Sequence, residues 1–172
     1  KTMSNLRLLN ETTISSSISS ITITDLFTDD FDIYKVTITA EAVSVTDANL
    51  RLVNSAGSIV TSSQQDTALH ILRANSSFSE LRTQNDDKLS RFGGLYDTTG
   101  GSFVYYIFNP TSTSLFTYLL AQGQATDGGN GRGFKQIGIL SETTSITGLN
   151  FVFNDDNVDV GKIRTYGLRV DT

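Results

Sequence analysis

The chain has 172 residues, a net charge of −5, and neither cysteine nor tryptophan. That length suits a single domain able to hold itself by one core, and the missing cysteines exclude disulfides and thiolate metal sites. The thirteen Lys and Arg are scattered, with only Arg164 and Arg169 close together near Lys162. A duplex-binding surface needs clustered cations, so no nucleic-acid partner is expected.

No apolar run approaches the ~20 residues of a membrane span. Lys1–Asn5 carries no apolar stretch of the kind that opens a secretory signal, so neither feature is expected. Serine and threonine make up 43 of the 172 residues, and glutamates number four. Helix surfaces prefer Glu, Lys, Ala and Leu, whereas Thr, Val, Ile, Tyr and Phe suit strands. The composition therefore points to β structure.

In chain order, residues 1–11 hold the apolar cluster Leu6, Leu8 and Leu9, read as an N-terminal arm or a first edge strand without an evident strand partner. Ile21 and Ile23 alternate with Thr22 and Thr24. Tyr34, Val36 and Ile38 alternate with Lys35, Thr37 and Thr39. Period-two runs of this kind mark strands with one dry face. Leu50 and Leu52 flank Arg51, and Asn54–Ser58 is a turn in which Gly57 is free to take a positive φ. Ala68–Ala74 reads as either strand or helical turn, and residues 75–102 read as irregular. Phe103–Phe108 is nearly continuously apolar and fits a central strand buried on both faces. Asn109–Thr113 turns the chain, and Phe116–Ala121 returns as its partner.

Gly123–Gly133 reads as a long flexible loop. Phe134–Ser141 and Ile146–Phe153 follow as strands, Asn154–Gly161 as an acidic turn, and Lys162–Val170 as the last strand. About eight to ten short strands with turn signals between them suit an all-β, antiparallel, jelly-roll-like β-sandwich over residues 12–172.

The sequence offers little for catalysis. His70 is the single histidine. It lies in the apolar run Leu69–Leu72, and no nucleophile or metal-ligand set accompanies it. Asp155, Asn157 and Asp159 have the alternate spacing of a calcium loop. The glycine, Gly161, falls one position late, however, and Tyr166 stands where a chelating carboxylate belongs. A solvated turn is expected there, with those three as the candidate metal ligands. Asp29, Asp30 and Asp32 form a second acidic patch, read the same way. Gly128–Gly133 looks like a phosphate loop, but a strand pattern follows where a helix N-terminus is needed. Tyr96, Phe103, Tyr105, Tyr106 and Tyr118 concentrate aromatic surface near the centre, which suits a core or a subunit interface better than a sugar platform. No catalytic residue and no cofactor are assigned.

Several segments resemble small virion structural proteins of tailed phages infecting marine bacteria, cyanobacteria especially. They are Asp30–Val36, Leu50–Ser58, Tyr106–Pro110, Ile137–Leu140 with Ser145–Leu149, and Asp159–Leu168. The resemblance covers residues 12–172 and implies a non-enzymatic, many-copy protein on the surface of the phage particle. The expectation is a capsid-surface decoration protein that contacts other copies of itself, as in a trimer, and the major capsid protein. Leu6, Leu8 and Leu9 are the expected partner-binding residues. A tail-fibre, baseplate or neck component contacting the host is the first alternative, and a carbohydrate-binding module the second.

Overall fold

The computed structural model describes residues 5–31, 33–42, 46–91, 94–95, 100–127, 129–154 and 157–169. These residues form twelve strands and no helix, joined into two antiparallel sheets. The larger has the order β1 (Leu6–Ile14), β12 (Val158–Leu168), β3 (Ile33–Ala42), β8 (Gly101–Phe108), β9 (Thr117–Asp127), β10 (Asn130–Leu140), β5 (Gln65–Arg73) and β6 (Ser79–Asp86). The smaller has the order β2 (Ser20–Ile23), β11 (Ile146–Phe153), β4 (Thr46–Asn54) and β7 (Gly94–Leu95). The all-β antiparallel sandwich expected from composition and period-two patterning is what the chain forms, with twelve strands where spacing suggested eight to ten.

Alternation decides which face is dry. In β3, Tyr34, Val36, Ile38 and Ala40 are buried, and so are Phe103, Tyr105 and Ile107 in β8. They meet Leu50, Leu52, Leu149 and Phe151 of the smaller sheet in one core. The rings of Tyr105 and Phe151 lie 5.9 Å apart across the sandwich. Burial pushes the Tyr105 phenol far above its ordinary pKa, which keeps it neutral. Tyr34 is fully buried, and its hydroxyl donates to the Thr28 carbonyl and accepts from the Thr28 amide, so its polar tip is satisfied.

Five sequence expectations are corrected. Gly123–Gly133 is not a loop: β9 and β10 pair continuously from Thr117↔Leu140 to Asp127↔Asn130. Gly123 is there because a Cβ would collide with the Phe103 ring, so it marks a close approach within a strand. The irregular region contains β6, which its polar composition hid, and β7. Phe103–Phe108 is buried on one face and only half buried on the other. The acidic turn is shorter than expected, because β12 begins at Val158. Leu6, Leu8 and Leu9 do not lack a strand partner: β1 pairs β12 from Leu6↔Leu168 to Ile14↔Gly161. Residues 6–14 thus form an edge strand of the large sheet. Ala68–Ala74, ambiguous in sequence, belongs to β5 apart from Ala74. Gly57 takes its turn with φ +76°, as expected.

Candidate interaction surface

Cross-strand partners in a sheet share a face, so register converts sequence into a map of the large sheet's outer face. One row across all eight strands reads Glu11, Arg164, Thr37, Val104, Gln122, Lys135, His70, Glu80. The next row on the same side reads Thr13, Lys162, Thr39, Ser102, Gln124, Gly133, Leu72. These two rows form a polar half.

In the opposite direction along the strands the chemistry reverses. The third row reads Leu8, Tyr166, Lys35, Tyr106, Leu120, Ile137, Ala68, Arg82, and the fourth Leu6, Leu168, Ile33, Phe108, Tyr118, Ile139, Asp66. Eleven of these fifteen side chains are Leu, Ile, Tyr or Phe. Ile137 is 58% exposed, Leu8 50%, Tyr118 46% and Leu6 38%, and most of the rest are half buried against their row neighbours. Seven strand spacings make this apolar half about 34 Å long, and two rows give it a plan area of about 450 Å². That is the size of the largest apolar patches on monomers, which are often functional.

Each half has its own concavity. A trough of about 1100 Å³ lies over the polar half, lined by Thr13, Thr39, Ser102, Gln124, Lys162 and Arg164 and, among the described residues, by no aromatic side chain. A pocket of about 540 Å³ lies over the apolar half, lined by Phe108, Tyr118, Leu120, Ile137 and Ile139. In the polar half the Arg164 Nε donates to the Glu11 carboxylate at 2.6 Å, and Lys162 Nζ reaches its other oxygen at 3.2 Å. Those two hydrogen bonds, Arg164 first, hold the Glu11 carboxyl below its ordinary pKa.

The expected partner-binding residues divide between the faces. A bulge in β1 between Leu8 and Asn10 reverses which side chains point inward. Ahead of it Leu6 and Leu8 face outward and complete the apolar half. Leu9 packs against the core instead.

His70 lies in the polar row between Lys135 and Glu80, with its ring 5.7 Å from that of Phe78 in an edge contact. Of the candidate metal ligands, Asp155 lies outside the described residues. The Asn157 amide donates to Ser17 Oγ at 3.1 Å, and Asp159 occupies a bulge of β12 opposite β3. Among the described residues no group of three or more His, Cys, Asp or Glu could hold a metal. Asp32 and Tyr96 also lie outside the described residues, whereas Tyr106 and Tyr118 are in the apolar half.

No family model and no curated protein matches the sequence. Solved structures align with this chain only at low similarity. A single mutant of congerin II aligns with TM-score 0.34 and 11% identity over 91% of this chain and 99% of that one. A mutant of the alginate lyase Aly36B, in complex with an alginate trisaccharide, aligns with TM-score 0.34 and 10% identity over 95% of this chain and 88% of that one. Likenesses this distant assign neither ligand nor activity.

Proposed function

We propose that the chain is a non-enzymatic structural protein of a phage particle, a capsid-surface decoration protein held through the apolar half of its large sheet's outer face. The supporting observation is the alignment of Leu6, Leu8, Tyr106, Phe108, Tyr118, Leu120, Ile137, Ile139, Tyr166 and Leu168 on one side of one sheet. Leaving so much apolar surface in water is unfavourable by about 25 cal/mol per Å², so covering it supplies a driving force for assembly. The virion setting is carried by the resemblance of residues 12–172 to phage structural proteins. Copies of this chain and the major capsid protein are the partners it implies.

The test is re-addition of purified protein to particles lacking it. Wild-type protein binds in many copies, and Tyr118→Asp/Ile137→Asp does not. Equal occupancy by the two proteins would end the proposal. A few copies per particle at a unique vertex would favour the tail, baseplate or neck alternative. The carbohydrate-binding alternative has less support, because the rings of the outer face lie away from the polar trough. Glycan binding that is lost in Gln124→Ala/Lys162→Ala would revive it.

A further inference from the structure

The large sheet ends in two edge strands, β1 and β6, each with a single neighbour among the described residues. An open edge presents unpaired backbone N–H and C=O groups and is commonly blunted by bulges, proline or lysine. β1 is bulged near its middle. In β6 the stretch Ser79–Thr83 is regular against β5, from Ile71↔Ser79 to Thr67↔Thr83. The bulge of β6 comes later, where Gln84 and Asn85 oppose Asp66 alone, and Asn85 takes φ +53°. The regular stretch holds neither proline nor lysine, and its middle residue is Leu81.

We infer that β6 is a self-association edge, pairing antiparallel with β6 of a second copy about a two-fold axis through Leu81, so that the two large sheets run on as one. Charge complementarity selects this pairing. With the axis at Leu81, Glu80 of each copy opposes Arg82 of the other, Ser79 opposes Thr83, and Leu81 meets its own counterpart. Opposite charges directly across a strand pair stabilise it, and like charges destabilise it. A two-fold axis normal to the sheet keeps each residue on its own face, so the competing registers are centred on Glu80 or Arg82. These oppose Glu80 with Glu80 or Arg82 with Arg82. The sequence therefore permits one register and penalises its neighbours.

Exposure agrees. Glu80 and Arg82 are exposed on the outer face, and Leu81 is 40% exposed on the other. No ion pair or hydrogen bond engages the Glu80 or Arg82 side chain among the described residues. Such a contact is isologous and closes at two copies, in contrast to the ring of three anticipated from the sequence. It involves β6 alone and stands or falls separately from attachment through the apolar half.

Sedimentation equilibrium of the full chain tests it, with Glu80→Arg, Arg82→Glu and the doubly exchanged Glu80→Arg/Arg82→Glu. Wild type forms a two-chain species. Each single exchange puts like charges opposite each other and weakens it by about tenfold or more. The double exchange restores it to near wild type. Hydrogen exchange supplies the second readout, with amides of Ser79–Thr83 gaining protection as concentration rises. A wild type that stays a single chain at about 100 µM would overturn the inference. So would a double exchange no better than either single one, a three-chain species, or β6 protection seen only on particles.

Discussion

The two halves of the outer face sit on the same strands and differ in chemistry at one level of the sheet. On β12 the outward series runs Lys162, Arg164, Tyr166, Leu168, and on β8 it runs Ser102, Val104, Tyr106, Phe108. On β9 the direction is opposite, and Tyr118 and Leu120 come before Gln122 and Gln124. The polar half resembles an ordinary solvated sheet face, with carboxylate, ammonium and guanidinium groups paired across strands. The apolar half has three tyrosines, Tyr106, Tyr118 and Tyr166, beside phenylalanine, leucine and isoleucine. A sheet needs one dry face to fold. The apolar half lies outside the core of one chain, and under the proposed function it is the surface that an assembly covers.

The largest expected effect comes from placing charge in the apolar half. Tyr118→Asp/Ile137→Asp is expected to weaken attachment to particles at least about 100-fold, because each carboxylate would be buried unpaired in the contact. The same number of charges added to the polar half, in Thr37→Asp/Gln122→Asp, is expected to leave attachment unchanged. Comparable losses from both pairs would remove the distinction between the halves. A smaller loss, about tenfold, is expected of Leu6→Ser/Leu8→Ser, measured as bound copies per particle. Both side chains are exposed in the free chain, so its melting temperature should hold.

A third change separates stability from contact. Asp86 is partly desolvated, which raises its pKa. Hydrogen bonds from Ser90, the Asp87 amide and Lys88 outweigh this and lower it to about 2. The loop they fix carries Leu89, fully buried and bonded both ways to the Leu50 backbone at 2.9 and 3.1 Å. Because the folded pKa is depressed, this contribution is complete above the unfolded value near 3.8 and is lost as pH falls toward about 2. Asp86→Asn should therefore cost on the order of 1–2 kcal/mol at pH 7. In denaturant titrations that difference from wild type should narrow between about pH 4 and 2, while attachment at pH 7 persists. The smallest effect is expected of Glu11→Gln in the polar half. The depressed Glu11 pKa acts in the same direction, stabilising above its unfolded value and fading in acid, but its ion pairs are open to solvent and screened by salt. A melting-temperature change visible only at low salt would fit.

The fold class was legible because Tyr34–Thr39 and Ile21–Thr24 alternate cleanly and Ser and Thr dominate the rest. β6 was not, since Ser79–Asp86 is an edge strand with mostly exposed side chains and has no dry face to leave a pattern. The β9–β10 hairpin was missed because glycines that admit a neighbour, such as Gly123 beside Phe103, read like glycines that free a loop. The apolar half was hidden for a topological reason. Antiparallel neighbours reverse direction, so its residues open β1, β3 and β9 and close β12, β8 and β10. Register assembles what the linear order disperses. Leu6, Leu8 and Leu9 read as one cluster in sequence, because the bulge that turns Leu9 toward the core leaves no trace in composition.

If the chain is held as proposed, the apolar half is covered in the assembly and the polar half is not. Hydroxyl-radical footprinting of the protein free and bound to particles reads this directly, since Tyr106, Phe108, Tyr118 and Tyr166 all lie in the apolar half and Leu72 reports on the polar half. Oxidation of those four rings is expected to fall on binding while that of Leu72, 41% exposed in the free chain, stays the same. Protection of Leu72 with the four rings as reactive as before would contradict it.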